Sequence, residues 1–283
     1  MLFGIMTVLS GLAAVVLCAG TGAFESFAWL WQLPVGFAGG FLLLAALWFG
    51  MLLIMAKCVP MDKEQEKDSP FYRTVITLTI SALLPILKIH IHTQGLENTP
   101  KDGRFLLVCN HLHDTDPVVL LWKYKHSQLA FISKREVNSM FLVGPIMRKI
   151  LSQPINREND REALKTILNC IRIIKEDKAS IAVFPEGYIR PDRLLRPFRS
   201  GVFKIAQKAQ VPIVVCTLQG TQHIYENMKR WKPTHVQLHL VGVVPAEELS
   251  GVTTVEIAKR VHAMMAQDLG PELVFAGQDE ENT

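Results

Sequence analysis

Cysteine is scarce in this chain, and strong charge of either sign is missing. The 283 residues include five cysteines, which are widely spaced and form no C-x-x-C pair. This pattern predicts neither a disulfide framework nor a zinc ribbon, and it favours a reducing compartment. The net charge of +4 is mild, and no basic stripe is interleaved with aromatic residues. We therefore expect no nucleic acid among its partners.

Lysine and arginine are absent from residues 1–56, where Glu25 is the only acid. Two apolar runs, 2–24 and 33–56, are each long enough to cross a hydrocarbon core of ~30 Å. The sequence thus predicts a membrane anchor of two transmembrane helices over residues 1–56. A cleaved signal peptide is the alternative for the first run, although that run lacks a basic start and a clear cleavage site.

Positive charge follows the second apolar run, at Lys57, Lys63, Lys67 and Arg73. By the positive-inside rule this flank is cytoplasmic, so we expect an integral membrane protein with its large domain on the cytoplasmic face. The remaining chain is divided by composition. The predicted units are a linker with an apolar helix, interfacial or packed on the domain, over 57–90, one domain over 91–272, and a disordered acidic tail over 273–283.

Short apolar runs alternate with helical patterns beyond residue 90. The predicted strands are 104–110, 129–133, 153–156, 180–184, 211–218 and 235–244. The predicted helices are 117–125, 136–150, 159–176, 199–209 and 253–268. Strict alternation of this kind predicts an α/β domain with a mostly parallel sheet flanked by helices, preceded by the N-terminal helical hairpin.

Two histidines and two aspartates lie within "NHLHDTDP", residues 110–117, directly after a predicted strand. Ligands of parallel sheets gather at the carboxyl ends of strands, where this segment and "PEGYIR" both fall. Asp116 before a proline is typical of a helix N-cap. His111 with Asp116 is typical of a general base and the carboxylate that orients it.

A metal site is a third interpretation of the same segment, since it resembles the H-x-H-x-D-H run of metallo-hydrolases but differs from that run at two positions. The candidate ligands would be His111, His113, Asp114 and Asp116, with His223 and His235 as distant partners. The sequence contains no G-x-S-x-G nucleophile elbow, which argues against a serine hydrolase.

Four ordered blocks resemble those of the glycerolipid acyltransferases, especially the 1-acylglycerol-3-phosphate acyltransferases. Asn110, His111 and Asp116 match the N-H-x4-D block, and the later blocks are "FISKREVNSMFLVG", "QPINR" and "VFPEGYIRPDRLLRPFRSG" followed by "VPIV". The resemblance covers roughly 95–220 and implies acyl transfer from acyl-CoA or acyl carrier protein to a glycerol hydroxyl. It implies no metal and no cofactor beyond that co-substrate, with a membrane lipid as acceptor.

The resemblance also implies roles for individual residues. His111 and Asp116 would be catalytic, with His111 as the general base. The implied substrate-binding residues are Asn110, Lys134, Arg157, Glu186, Gly187, Arg190 and Arg199. Among them Glu186 and Gly187 would position the acceptor hydroxyls, and Arg157 would hold its phosphate with Lys134 and Arg199.

Several positions depart from the family pattern. Tyr188 and Ile189 stand where the family has Thr-Arg, Phe141 where proline is usual, Leu151 where glycine is usual, and Asn156 where an aspartate precedes the arginine. These departures leave the catalytic pair intact but leave the acceptor open. The first choice is 1-acylglycerol 3-phosphate, which would give phosphatidic acid. Another lysophospholipid or glycerol 3-phosphate is the alternative, and a metallo-hydrolase is the alternative from another class.

Overall fold

The computed structural model describes residues 1–61 and 65–277. In that part of the chain the α-helices are α1 Leu2–Gly20, α2 Trp29–Lys57, α3 Pro70–Ile86, α4 Asp116–Lys123, α5 Val143–Lys149, α6 Asp160–Lys175, α7 Lys204–Ala209, α8 Ile224–Lys229 and α9 Thr254–Leu269. The strands are β1 Ile89–Gln94, β2 Leu106–Cys109, β3 Leu129–Lys134, β4 Gln153–Ile155, β5 Ser180–Val183, β6 Ile213–Gln219 and β7 Thr234–Val244.

The seven strands form one sheet in the order β1-β7-β6-β2-β5-β3-β4. All neighbouring pairs are parallel except β6 with β7. Every residue of β2 and β5 is buried, as expected for central parallel strands that are covered on both faces. The predicted α/β fold with a mostly parallel sheet flanked by helices is therefore confirmed.

Helices cover both faces of the sheet. On one face α6, α7 and α9 contribute buried side chains such as Ile167, Ile205 and Val261. On the other face α4 and α8 contribute Leu120 and Ile224. The two cores hold β2, β5 and β6 rigidly between them, so the loops at the carboxyl ends of these strands start from fixed positions.

Two predicted boundaries of the domain need correction. The first strand, β1, begins at Ile89 and pairs with β7, so the domain starts before the predicted residue 91. Its alternating "IHIHTQ" exposes most side chains at the sheet edge, which gives a weaker signal than a buried run. At the other end, Leu195 exchanges backbone hydrogen bonds with Leu273 and Phe275. The start of the predicted acidic tail is therefore packed on the domain, and residues 278–283 lie outside the described residues.

Two predicted helices are also interrupted. The helix predicted over 136–150 is a 3-10 turn at Arg135–Ser139 followed by α5. The chain turns sharply between them and brings Gly144 close to Asn138. A Cβ on Gly144 would lie only 2.2 Å from the Asn138 carbonyl oxygen, so this position requires glycine. The helix predicted over 199–209 likewise begins with a 3-10 turn, Ser200–Phe203, before α7.

The N-terminal helices α1 and α2 pack as the predicted hairpin. Gly40 approaches the backbone of Ser10, and Gly36 approaches Ala14, so the two helices run in opposite directions in close contact. Both are long and apolar enough to cross a membrane by length and composition. Large apolar side chains such as Leu42 are exposed on the outside of this pair.

Helix α3 packs between the hairpin and the domain. The Tyr72 hydroxyl donates a hydrogen bond to the Met55 carbonyl of α2. The Arg73 guanidinium pairs with Asp68 and donates to the Leu129 carbonyl of β3. The helix predicted from its composition as interfacial or domain-packed thus lies on the domain and links it to the hairpin.

Candidate active site

The segment after β2 folds back on the start of α4 through one carboxylate oxygen. Asp116 Oδ2 lies 2.8 Å from His111 Nδ1 and accepts hydrogen bonds from the backbone N–H groups of Leu112 at 2.7 Å and His113 at 2.9 Å. The Asp116 side chain is fully buried. Three donors on one oxygen fix the turn, and they hold the imidazole with its Nδ1 toward the negative charge.

The helix cap predicted at Asp116 is displaced by one residue. Thr115 is the N-cap, and Asp116 is the first residue of α4, followed by Pro117. The aspartate side chain accepts from residues that precede the helix rather than from the helix N–H groups. The Asp116 carboxylate therefore closes the turn around His111.

The His111 ring stacks on Phe184, with ring centroids 4.1 Å apart and an interplanar angle of 16°. Phe184 directly follows β5, which is the neighbour of β2. The ring is held on one side by Asp116 and on one face by Phe184, and its Nε2 has no hydrogen-bond partner among the described residues. A neutral imidazole in this setting can accept a proton at Nε2.

His111 lines a cavity of about 930 Å³. Most of its wall is apolar, and α2, α3, α4 and α5 each contribute to it, with Leu52, Ile80, Leu121 and Ile146 as examples. A cavity of this size and polarity suits a long hydrocarbon chain. The candidate base therefore faces a space that can hold a lipid.

Glu186 lies behind the His111 turn. Its Oε1 accepts the His111 backbone N–H at 2.8 Å and its Oε2 accepts the Arg196 backbone N–H at 3.1 Å. The pKa of this carboxyl is raised to about 7, mainly by burial and in smaller part by the Asp116 charge, while the two backbone hydrogen bonds and the Arg196 charge oppose the rise. The side chain lines a smaller pocket of about 280 Å³ on the other side of the turn. The structure thus directs Glu186 to the backbone of the candidate base.

Asn110 is buried and spans two strands. Its amide oxygen accepts the Leu218 N–H at 2.7 Å, and its amide nitrogen donates to the Leu218 carbonyl at 2.9 Å. This pair of bonds ties the end of β2 to β6. Asn110 therefore makes a structural contact beside the site. Arg193 supports the turn that contains His111 by donating a hydrogen bond to the Leu112 carbonyl at 2.6 Å.

Three predicted arginines meet around one aromatic ring. The guanidinium carbons of Arg157, Arg199 and Arg190 lie 5.0, 5.3 and 5.6 Å from the centre of the Tyr188 ring. None of the three forms an ion pair with a carboxylate within 1–61 and 65–277. Burial lowers the pKa of Arg157, and the charge of Arg199 lowers it further. The Glu136 charge partly opposes these effects, and a cluster of three guanidinium groups favours a bound anion.

Two other predicted residues complete this end of the cavity. Lys134 lines it and pairs with Glu136 at 3.2 Å, with both side chains exposed. Gly187 has φ +86°, and a Cβ there would lie 3.0 Å from Arg199 Nε. The glycine therefore lets the chain turn tightly after β5 and lets the Arg199 guanidinium approach. Six of the nine predicted residues line the cavity or belong to its arginine cluster, and the other three are Asn110, Glu186 and the fully buried Asp116.

Sequence reasoning missed two features of the site. Phe184 was noted as part of a motif, but its stacking on His111 was not predicted. Tyr188 enters the sequence analysis only as a departure from the family pattern, although its ring is the centre of the arginine cluster. Phe184 directly follows β5 and Tyr188 lies in the loop after it, so an aromatic residue beyond the end of a central parallel strand is the signal that could have found them.

The geometry does not favour the metal interpretation. His113 Nδ1 lies 3.0 Å from Thr115 Oγ1, and its ring is 6.1 Å from that of Tyr225. His235 pairs with His92 at 3.0 Å. Among the residues that the structure describes, no three His, Cys, Asp or Glu side chains are arranged to hold a metal ion.

Residues 90–219 match the family model described as Acyltransferase. The chain is 32% identical over 162 residues to the probable 1-acyl-sn-glycerol-3-phosphate acyltransferase of Mycoplasma pneumoniae, covering 56% of this chain and 60% of that protein. It is 27% identical over 154 residues to the 1-acyl-sn-glycerol-3-phosphate acyltransferase of Bacillus subtilis, covering 54% and 75%. The chain spans less than two thirds of the length of several curated relatives that it matches.

A solved structure shares the fold. The crystal structure of the 1-acyl-sn-glycerophosphate (LPA) acyltransferase PlsC from Thermotoga maritima superposes with a TM-score of 0.61 at 23% identity. The match covers 79% of this chain and 87% of that one. It therefore extends well beyond the segment 90–219.

Proposed function

We propose that the chain is a 1-acylglycerol-3-phosphate O-acyltransferase, because residues 90–219 match the family model described as Acyltransferase and four sequence blocks resemble that family. The reaction moves a fatty acyl group from acyl-CoA or acyl carrier protein to the sn-2 hydroxyl of 1-acylglycerol 3-phosphate. The products are phosphatidic acid and the free thiol. Acyl transfer to another lysophospholipid or to glycerol 3-phosphate is the second candidate, because Tyr188 and Ile189 replace the family's Thr-Arg and leave the choice of acceptor open.

The observation that carries the proposal is the contact between His111 Nδ1 and Asp116 Oδ2 at 2.8 Å. An alcohol near pH 7 is a poor nucleophile, so a base must take its proton as it attacks. His111 Nε2 takes the proton of the acceptor hydroxyl while the oxygen attacks the thioester carbonyl. The C–S bond then breaks, and the imidazolium returns the proton to the leaving sulfur. Asp116 stabilises the imidazolium between these two steps.

The acceptor phosphate binds, in this proposal, at the cluster of Arg157, Arg190 and Arg199, with Lys134 nearby. Arginine is suited to this role because its planar fork can make two parallel hydrogen bonds to phosphate oxygens. The apolar cavity beside His111 holds acyl chain. No step of this scheme needs a metal or a further cofactor.

The N-terminal hairpin anchors the enzyme where its acceptor and product are found. In this proposal α1 and α2 span the membrane, and the basic residues Lys57, Lys67 and Arg73 keep the catalytic domain on the cytoplasmic face. Leu52 of α2 lines the catalytic cavity, so the anchor also contributes to the lipid site. An acceptor in the bilayer then reaches the site by diffusion along the surface.

A thiol-release assay tests the proposal. The purified full chain is offered acyl-CoA or acyl carrier protein thioester with lysophosphatidate, glycerol 3-phosphate, lysophosphatidylcholine or monoacylglycerol. We expect thiol release that depends on lysophosphatidate and forms phosphatidic acid. Release with none of these acceptors would contradict an acyltransferase function, and release only with another acceptor would select the second candidate.

A further inference from the structure

Tyr188 lies where two cavities meet. The apolar cavity beside His111 and a polar groove of about 1100 Å³ share the residues Lys134, Glu136, Ile155, Arg157 and Tyr188. The polar groove extends away from His111 along β4 and α6. Tyr188 has the largest uncharged side chain among the shared residues, so its ring is the main steric element between the two spaces.

The Tyr188 ring is 41% exposed and has cations on several sides. Three guanidinium groups surround it at 5.0 to 5.6 Å from its centre. Cations at this distance are attracted to the face of an aromatic ring. The backbone N–H of Arg199 donates to the Pro185 carbonyl at 2.9 Å, which holds the main chain of Arg199 beside the Tyr188 loop. Moving the ring out of the passage would break all three contacts.

The groove beyond Tyr188 is large enough for more than a phosphate. Ligand pockets of about 300–1,000 Å³ hold molecules of drug size, and the groove exceeds this range. It also offers polar partners such as Gln153, Asn156 and Asn169. Space and polarity would therefore accept a headgroup attached to the phosphate, and such a headgroup would have to pass Tyr188 to reach the groove.

We propose that Tyr188 is a specificity-determining residue, whose ring closes the passage and restricts the acceptor to a phosphomonoester. A phosphate held by Arg157 and Arg199 has its free oxygens toward the ring, so any alcohol esterified to it must pass Tyr188 to enter the groove. Phosphodiester lysolipids are then excluded by steric conflict at one side chain. This inference rests on the proposed function, because it requires the arginine cluster to bind the acceptor phosphate.

The test compares two acceptors, lysophosphatidate and lysophosphatidylglycerol, which differ in whether a glycerol is esterified to the phosphate. Tyr188→Thr removes the ring, and Tyr188→Phe keeps the ring without the hydroxyl. Tyr225→Thr is the matched control, because Tyr225 is an exposed tyrosine with its own cation contact, to Lys229 at 5.3 Å. For each protein the kcat/KM for both acceptors and the melting temperature are measured.

We expect Tyr188→Thr to raise the ratio of kcat/KM for lysophosphatidylglycerol over lysophosphatidate by at least about tenfold. Tyr188→Phe and Tyr225→Thr should keep the wild-type ratio. An unchanged ratio in Tyr188→Thr would overturn the proposal, and an equal change in Tyr188→Phe would assign the effect to the hydroxyl instead of the ring.

A second measurement needs only the wild-type enzyme and covers the case in which Tyr188→Thr does not fold. Lysophosphatidylglycerol should fail to inhibit lysophosphatidate acylation at concentrations several times the KM of lysophosphatidate. Competitive inhibition near that KM, or equal turnover of both acceptors, would contradict exclusion at Tyr188 while leaving the acyltransferase activity intact. No turnover of lysophosphatidate at all would instead remove the proposed function on which the inference depends.

Discussion

The Glu186 carboxylate accepts a hydrogen bond from the backbone N–H of His111 at 2.8 Å, across 75 residues of sequence. This contact joins the loop after β5 to the turn after β2. The imidazole of His111 is thus positioned twice, by Asp116 at the ring and by Glu186 at the backbone. The glutamate that the family resemblance places on the acceptor contacts the backbone of the candidate base in this structure.

Glu186→Gln tests the environment of this carboxyl through the pH dependence of stability. Burial raises the folded-state pKa to about 7 from an ordinary value of 4.5. The stability that the protonated group contributes is then fully present below pH 4.5 and is lost as pH rises through 7. Glutamine does not titrate, so the stability of the variant relative to wild type should increase between pH 5 and pH 8. The increase should be at most about 3 kcal/mol.

Denaturation in detergent at pH 5, 6, 7 and 8 measures this change. Glu256→Gln is the control, because hydrogen bonds from Thr253 lower the Glu256 pKa below 4.5, and its effect should be constant over the same range. If the difference in unfolding free energy between Glu186→Gln and wild type is the same at every pH, Glu186 is not in the buried setting described above.

Asp116→Asn separates charge from turn geometry. Asparagine keeps an oxygen that can accept the N–H groups of Leu112 and His113, but it removes the negative charge that stabilises the imidazolium. We expect a folded protein whose kcat falls by about 10²–10⁴-fold. Rates and melting curves on the same preparation give the answer. Near-normal kcat at an unchanged melting temperature would mean that Asp116 only closes the turn.

Arg157→Ala tests the phosphate site. A charge-assisted contact between arginine and phosphate contributes about 1.5–3 kcal/mol, so kcat/KM for lysophosphatidate should fall by at least about tenfold. Arg157→Lys should be intermediate, because lysine keeps the charge but loses the planar fork. The loss should be much smaller for monoacylglycerol, which has no phosphate.

Arg161→Ala is the control for this series, since Arg161 is an exposed arginine on α6 and lines none of the cavities described above. This variant should keep the wild-type kcat/KM for both lysophosphatidate and monoacylglycerol. If Arg157→Ala lowers kcat/KM equally for lysophosphatidate and monoacylglycerol, Arg157 binds the acyl donor or stabilises the fold instead of binding the acceptor phosphate.

The sheet and most of its strands could be predicted from sequence because they are buried on both faces. The runs around β2, β5 and β6 consist of apolar residues with turn signals at their ends, which leaves few alternatives. The edge strand β1 was missed because its exposed histidines interrupt the apolar signal. The break before α5 was missed because it depends on the close approach of Gly144 to Asn138.

The candidate site was predictable where its residues are close in sequence. His111 and Asp116 are five positions apart, so a single turn can join them. The direction of the Glu186 side chain could not be predicted, since it depends on the order of β2 and β5 in the sheet. The arginine cluster brings Arg157, after β4, to Tyr188, after β5, and that meeting also depends on strand order.

Loss of activity in His111→Ala, with His113→Ala as the matched control, is the most direct test of the mechanism. His113 shares the same turn, but its Nδ1 bonds to Thr115 and its ring faces Tyr225. Thiol release from acyl-CoA in the presence of lysophosphatidate is measured for both variants and for wild type. A general base contributes about 10²–10⁴-fold, so His111→Ala should lose that factor while His113→Ala keeps most of the wild-type rate. Equal losses in the two variants, or recovery of either with added zinc, would contradict His111 as the base and would favour a metal pair.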